Sequence, residues 1–257
     1  MKACRLIALF LLMATCATAQ PVSPDPGFDI YILMGQSNMA GRGALTDSLR
    51  MMGNEQVLVL NQQRQWVTAH HPLHFDKPAI AGVGPGLAFG LAMQPAAGGH
   101  RIGLVPCAVG GTPIEHWQPG AYDSATRTHP WDDAVARITY AMQYGVIKGV
   151  LWHQGEANSK PAQATQYLLQ LTELVKRTRT LVQNPRLPFV AGELGYFYGP
   201  HDAINQQLAL FPKLVDGTAT VSAEGLTDKG DKLHFSAEAA NELGKRYAAA
   251  MLQLLNH

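Results

Sequence analysis

Residues 29–41 read DIYILMGQSNMAG, and this stretch decides the fold. Ile30–Met34 is apolar at every position rather than at every second one, which marks a strand covered on both faces. It stops at Gly35, where a tight turn is allowed, and runs into a short polar segment. The same grammar recurs along the chain. Val57–Leu60, Ile102–Val105, Val146–Trp152, Phe189–Leu194 and Ala219–Val221 are further short apolar runs. Between them lie helical patterns at Gly86–Met93, Trp131–Tyr144, Pro161–Val182, Asp202–Leu214 and Ala237–Leu255. In the third of these, Tyr167, Leu168, Leu171, Leu174 and Val175 recur in steps of three and four and make one apolar face, with Pro161 suited to the first turn. In the last, Ser236 is placed to cap the N-terminus, and Leu243, Tyr247, Met251 and Leu254 form the stripe. Strands alternating with helices imply an α/β sandwich with right-handed crossovers.

Outward from this core, the N-terminus reads as something else. Residues 1–19, MKACRLIALFLLMATCATA, carry Lys2 and Arg5, an apolar run from Leu6 to Met13, and Ala17-Thr18-Ala19 as a small-x-small cleavage pattern. This is a secretory signal peptide with cleavage expected after Ala19. A lipid attached at Cys16 is the second reading, disfavoured by Thr15 before it. Cleavage removes two positive charges and takes the formal charge from +1 to −1. It also removes Cys4 and Cys16 and leaves Cys107 alone, so no internal disulfide is expected. Cys107 sits in the apolar run RIGLVPCAV and reads as a buried thiol. Residues 20–28 are rich in Pro and Gly and read as an extended leader.

The remaining chain forms one domain, residues 20–257, with no internal repeat and no linker. It is 47% hydrophobic and 15% charged, enough apolar material for a core and too little charge for a disordered chain. Twenty basic residues against nineteen acidic ones leave no surplus for nucleic acid. No stretch beyond the leader is long and apolar enough for a membrane span. The segments 61–83 and 107–130 are long, rich in Pro, Gly and His, and placed where connections carry binding function.

In a parallel α/β sheet ligands bind beyond the carboxyl ends of the strands, so the residues that follow each strand carry the functional reading. Gln36, Ser37 and Asn38 follow the first strand. Ser37 reads as a nucleophile presented at the sheet edge, or Ser37 and Asn38 simply cap a helix turn. Trp152-His153-Gln154-Gly155-Glu156 ends another strand; Gln154 has an amide suited to an oxyanion, and Glu156 a carboxylate able to support a His or bind a sugar hydroxyl. Gly110 and Gly111 follow a third strand and can offer backbone N–H groups, or form an ordinary loop. Glu115, His116 and Trp117 come next as candidate pocket residues, with Trp117 able to stack on a sugar or to pack the loop. Near the C-terminus, Asp231 stands three residues before His234, a spacing at which the carboxylate accepts the ring Nδ1–H; the bland alternative is a surface Asp beside a helix-start His. Together these are a nucleophile, a base, an orienting acid and oxyanion donors, all at the expected edge.

At ILMGQSNMAG (32–41), WHQGE (152–156) and DKLHFS (231–236) the chain resembles the SGNH (GDSL-like) hydrolases, and within them the sialate O-acetylesterase-like and carbohydrate esterase family 6 branch. The resemblance runs from about Asp29 to Leu255. It implies a three-layer α/β/α sandwich with a mostly parallel central sheet, flavodoxin-like, and an enzyme that removes O-acetyl groups from carbohydrate such as acetylated xylan, without metal or organic cofactor. It matches Ser37 to the nucleophile, His234 to the general base and Asp231 to the acid. Glu156 is the competing acid. It places the oxyanion hole at Ser37 and Gly110 or Gly111, with Gln154 where the wider superfamily has Asn. Gln36, Asn38, His153, Glu115 and Trp117 are then candidate substrate-binding residues.

Three alternatives stand beside this reading. His70, His71 and His74, with Asp76 the nearest carboxylate, invite a metal site, but no ligand pattern completes one. A non-catalytic carbohydrate-binding domain is possible on any such fold. A sialate O-acetylesterase, general carboxylesterase, thioesterase or acyltransferase would keep the nucleophile and change the substrate.

Overall fold

A computed structural model describes residues 23–256. The signal peptide expected at 1–19 lies outside the described residues. Seven strands form one sheet: β1 (Asp25–Gly35), β2 (Val57–Leu60), β3 (Trp66–Thr68), β4 (Arg101–Pro106), β5 (Gly145–His153), β6 (Phe189–Gly192) and β7 (Thr218–Val221). Their spatial order is β3-β2-β4-β1-β5-β6-β7, and every pairing is parallel except β2 with β3. The helices are α1 (Ser37–Ala40), α2 (Asp47–Met51), α3 (Pro85–Met93), α4 (Pro130–Ala141), α5 (Pro161–Leu181), α6 (Asp202–Leu214) and α7 (Ala237–Leu255).

The central strand shows why the apolar run is unbroken. Ile30, Ile32 and Met34 of β1 point into a core shared with Trp131, Ile138, Leu171 and Leu208 of α4, α5 and α6. Tyr31 and Leu33 point the other way, into a core with Leu87 and Phe89 of α3 and Leu243 and Tyr247 of α7. With the strand period of two, only an all-apolar sequence can feed both layers. The result is the expected three-layer α/β/α sandwich. The helix stripes face the core: Tyr167, Leu171, Leu174 and Val175 of α5 and Leu243, Tyr247 and Met251 of α7 are buried, while Leu168 and Leu254 are only half-buried. Ser236 caps α7, its Oγ accepting the Ala239 N–H at 3.1 Å.

Two expectations about the chain's organisation change. The leader 20–28 is in part strand, because β1 begins at Asp25, whose N–H reaches Tyr144 O, and Phe28 pairs with Arg101 of β4. The connection 61–83 contains the edge strand β3, turned by Asn61, whose Oδ1 accepts the Gln65 N–H at 2.8 Å. Its three residues are partly exposed and too few for a period to show.

Gly35 closes β1 with φ +129°, and a Cβ there would overlap the backbone of His153 on β5. Gly35→Ala is therefore expected to cost about 3 kcal/mol or more, read as a lower urea midpoint with unchanged slope. A midpoint within error of wild type would show that the β1–β5 ends are not packed this closely.

Candidate active site

The turn after Gly35 puts Ser37 at the first position of α1, at the carboxyl end of the central strand. Across the sheet edge, the loop between β7 and α7 folds back on itself. Lys229 N–H bonds His234 O, Ser236 N–H bonds Thr227 O, and Asp228 Oδ2 takes the N–H groups of Gly230 and Lys232. Lys232 accepts a left-handed φ of +55° to complete the turn. The loop brings His234 Nε2 to 3.1 Å from Ser37 Oγ, although 197 residues separate them. His234 Nδ1 lies 2.7 Å from Asp231 Oδ2, and Asp231 Oδ1 accepts the N–H of His234 at 2.8 Å and of Leu233 at 3.0 Å. With its Nδ1–H on the carboxylate, the neutral ring presents a lone pair at Nε2 to the Ser37 hydroxyl.

Electrostatics follow from these contacts. Partial burial pushes the Asp231 carboxyl up, but bonds from the His234 N–H, the His234 ring and the Leu233 N–H outweigh it and hold the group well below the usual carboxylate range. Burial pushes His234 below its ordinary value, more than the pull of Asp231 restores. Glu156 goes the other way: its buried carboxyl is raised to about 6, only partly offset by its own backbone N–H and Asn38.

Asn38 is not open to a substrate. Its Nδ2 donates to Glu156 Oε1 at 2.5 Å and to Leu233 O at 3.0 Å, and its Oδ1 accepts the Phe235 N–H at 3.1 Å. The residue after Ser37 thus holds the backbone on both sides of His234. Glu156 bonds Asn38, while Asp231 bonds the ring of His234.

Three other candidates face inward rather than into a cleft. Gln154 is fully buried; its Nε2 donates to Gln36 Oε1, Thr112 O and Asn158 Oδ1, so it braces the loops and leaves no donor for an oxyanion. His153 is fully buried with Nδ1 3.1 Å from Tyr247 Oη, and burial lowers it to about 3, so it is a neutral core residue. Trp117 is fully buried, edge-on to Trp152 at 5.2 Å, with its indole N–H on Thr112 Oγ1. It packs the 107–130 loop and offers no face to a sugar. A strand end alternates faces and Gly155 then turns at φ +149°, so residue type alone did not show which of these side chains would point inward.

Gln36 is nearly buried, its Oε1 accepting from Gln154 and from the Ala157 N–H at 3.4 Å. Glu115 is half-buried and accepts the Asn158 amide at 2.7 Å. His116 pairs with Asp123 at 2.8 Å. Gly110 lies against the nucleophile, where a Cβ would stand 3.4 Å from Ser37 Cβ. Its N–H donates to Asp76 Oδ2 at 2.8 Å. Gly111 is exposed and takes a φ of +91°.

That Asp76 contact belongs to a pair the sequence did not reveal. Arg42 Nη2 lies 2.6 Å from Asp76 Oδ2, with side chains 2% and 3% exposed. The only signal was an Arg directly after the glycine of GQSNMAG, and its acid lies 34 residues on. Asp76 is thus tied to Arg42 and Gly110. His71 and His74 are buried, which lowers both to about 4. Among the described residues no three His, Cys, Asp or Glu side chains are grouped for a metal ion. Cys107 is buried, and burial pushes its thiol up to about 12.

Residues 27–253 match the family described as carbohydrate esterase, sialic acid-specific acetylesterase. A probable carbohydrate esterase of Arabidopsis thaliana is 35% identical over 250 residues, covering 90% of this chain and 92% of that one. The solved Arabidopsis thaliana structure superposes with a TM-score of 0.79 at 33% identity, over 89% of this chain and 99% of the other. NanS has the same fold, with a TM-score of 0.71 at 18% identity, over 91% of this chain and 99% of that one.

Proposed function

The chain belongs to the sialic acid-specific acetylesterase family of carbohydrate esterases, and from that premise we propose that it is an exported serine esterase that removes O-acetyl groups from a neutral glycan of the acetylxylan kind. The observation that carries the reading is the unbroken line Ser37 Oγ, His234, Asp231 at the carboxyl edge of the central strand. His234 Nε2 takes the hydroxyl proton as Ser37 Oγ attacks the acetyl carbonyl, and Asp231 stabilises the imidazolium that forms. The Ser37 N–H faces the developing oxyanion, with the second donor from the Gly110–Gly111 turn. Since Gly110 N–H is already held by Asp76, Gly111 N–H takes that part. His234 then protonates the departing sugar oxygen, and a water activated by His234 releases acetate and restores Ser37.

A neutral glycan fits the charges around Ser37. Arg42, directly after the nucleophile turn, is paired with Asp76, and Lys229 is paired with Asp231. Among the described residues, the cation left without an acid partner beside that turn is the half-buried Lys77, its Nζ 3.9 Å from where a Cβ on Gly111 would stand, so a sialate carboxylate would have this one lysine to meet. The leader at 1–19 supports export. Acetate release should therefore be faster from acetylated xylan than from an O-acetylated sialic acid. The reverse order would make the chain a sialate O-acetylesterase, and release from neither by the folded protein would reject both substrates.

The pH dependence follows from the base. Only neutral His234 can accept the Ser37 proton, so kcat/KM rises as the ring deprotonates. Burial lowers its pKa, so the acid limb should have its midpoint below about 6.5, with activity flat above it. A midpoint above 7 would mean that another group limits the reaction.

A further inference from the structure

Beside Ser37 a pocket of about 340 Å³ opens at the carboxyl ends of β2 and β4, between the 61–76 connection and the first turns of α4. We propose that this pocket is a second sugar subsite, seating the neutral glycosyl residue next to the one that carries the acetyl group. The inference rests on the esterase reading above and narrows it to an enzyme of oligosaccharides and polysaccharides rather than of single sugars.

Position is the first argument. Asp76 and Val109 line the pocket, and Asp76 Oδ2 holds the N–H of Gly110, the residue packed against Ser37. One residue thus separates its wall from the nucleophile, so a sugar whose acetyl carbon lies at Ser37 would direct its neighbour there. The edge is also the one on which a parallel sheet binds ligands, and the volume is within the usual range for a small-molecule site.

Chemistry is the second. Phe75 is half-buried in the pocket, with the Arg137 guanidinium 4.7 Å over one face of its ring. That guanidinium is held by the carbonyls of Pro106, Asn61 and Leu60, one bond from each of its three nitrogens, which fixes the ring from behind. An aromatic ring braced on one side is a platform for the apolar face of a pyranose. Around it stand the exposed amide of Gln62, the hydroxyl of Thr128, and one charge of each sign in Arg64 and Asp133. Donors and acceptors without a surplus of charge suit hydroxyl groups better than a phosphate or a carboxylate.

The third is an orphaned polar atom. His74 also lines the pocket, and its Nε2 is buried with no hydrogen-bond partner. The ring is neutral, since burial lowers it to about 4. An unpaired buried nitrogen is unfavourable unless something meets it, and a turn of the His74 ring towards the pocket would bring it a ligand hydroxyl as partner.

The test uses the full chain with p-nitrophenyl acetate and with acetylated xylose, xylobiose and xylotriose. In wild type, kcat/KM should rise about tenfold from the acetylated xylose to the longer sugars, mainly through a lower KM. Ala136 lies exposed on α4 and lines the pocket, so Ala136→Trp fills it without disturbing the core. Ala136→Trp and Gln62→Ala should each remove the gain with chain length and leave p-nitrophenyl acetate turnover within about twofold. No gain with length in wild type, or a gain that survives Ala136→Trp, would overturn the subsite. Loss of p-nitrophenyl acetate turnover in both variants would also overturn it, by showing a structural effect. Failure of the esterase reading is separate: wild type would then not hydrolyse p-nitrophenyl acetate at all, or would do so equally after Ser37→Ala.

Discussion

Ser37→Ala is expected to lower kcat for acetyl ester hydrolysis by about 10⁴-fold or more, while the protein stays folded. The hydroxyl is the one protein atom in the proposed mechanism that forms a bond to the acyl carbon, and water in its place lacks the alignment to His234. Residual catalysis from the oxyanion donors is what keeps the loss finite. The structural cost is small. Ser37 Oγ makes one hydrogen bond, to His234, and its removal costs about 1 kcal/mol in urea unfolding. A variant that keeps wild-type turnover would dismiss Ser37 as nucleophile. A variant that is inactive because it is unfolded would be recognised by its circular dichroism and would call for Ser37→Gly instead.

The second large effect separates two carboxylates. Asp231→Asn should lower kcat by about 10³–10⁴-fold, because an amide in place of the carboxylate no longer supports the imidazolium and permits the wrong ring tautomer. Glu156→Gln should cost less than about tenfold. Glu156 bonds Asn38 rather than the His234 ring, and burial raises its carboxyl to about 6 where Asp231 is held low. A glutamine can still accept the Asn38 amide. Asp231 has the opposite character, held ionised by three bonds from Leu233 and His234. If the two variants ranked the other way, Glu156 would be the acid and Asp231 a brace for the loop.

Both effects concern residues that were legible before the fold was known, and the reason is physical. Asp231 and His234 are three residues apart, so their contact is local and the spacing alone allows it. Ser37 follows a run that can only be a central strand, and such a strand ends at the functional edge. The three layers were legible from the same source, because β1 must feed apolar side chains to both faces. What was not legible is direction. Gln154, His153 and Trp117 are polar or amphipathic residues beside the right strands, yet each turns inward. Gln154 is spent on Gln36, Thr112 and Asn158, and Trp117 on Trp152 and Thr112. Only tertiary packing decides this. The Arg42–Asp76 pair was hidden for a related reason: its members lie 34 residues apart in segments with no common period. Asp76 drew notice as a metal ligand and is instead the acceptor that holds Gly110. The strand β3 escaped because three half-exposed residues carry too little pattern.

The central claim is that Ser37 becomes covalently acylated with His234 as its base. The most direct measurement is labelling with diisopropyl fluorophosphate, followed by peptide mass spectrometry and an acetate-release assay on the same sample. One label per chain on the peptide carrying Ser37, appearing in step with loss of activity and absent in His234→Ala, is the predicted result. Label confined to another residue, or full activity with Ser37 labelled, would contradict it.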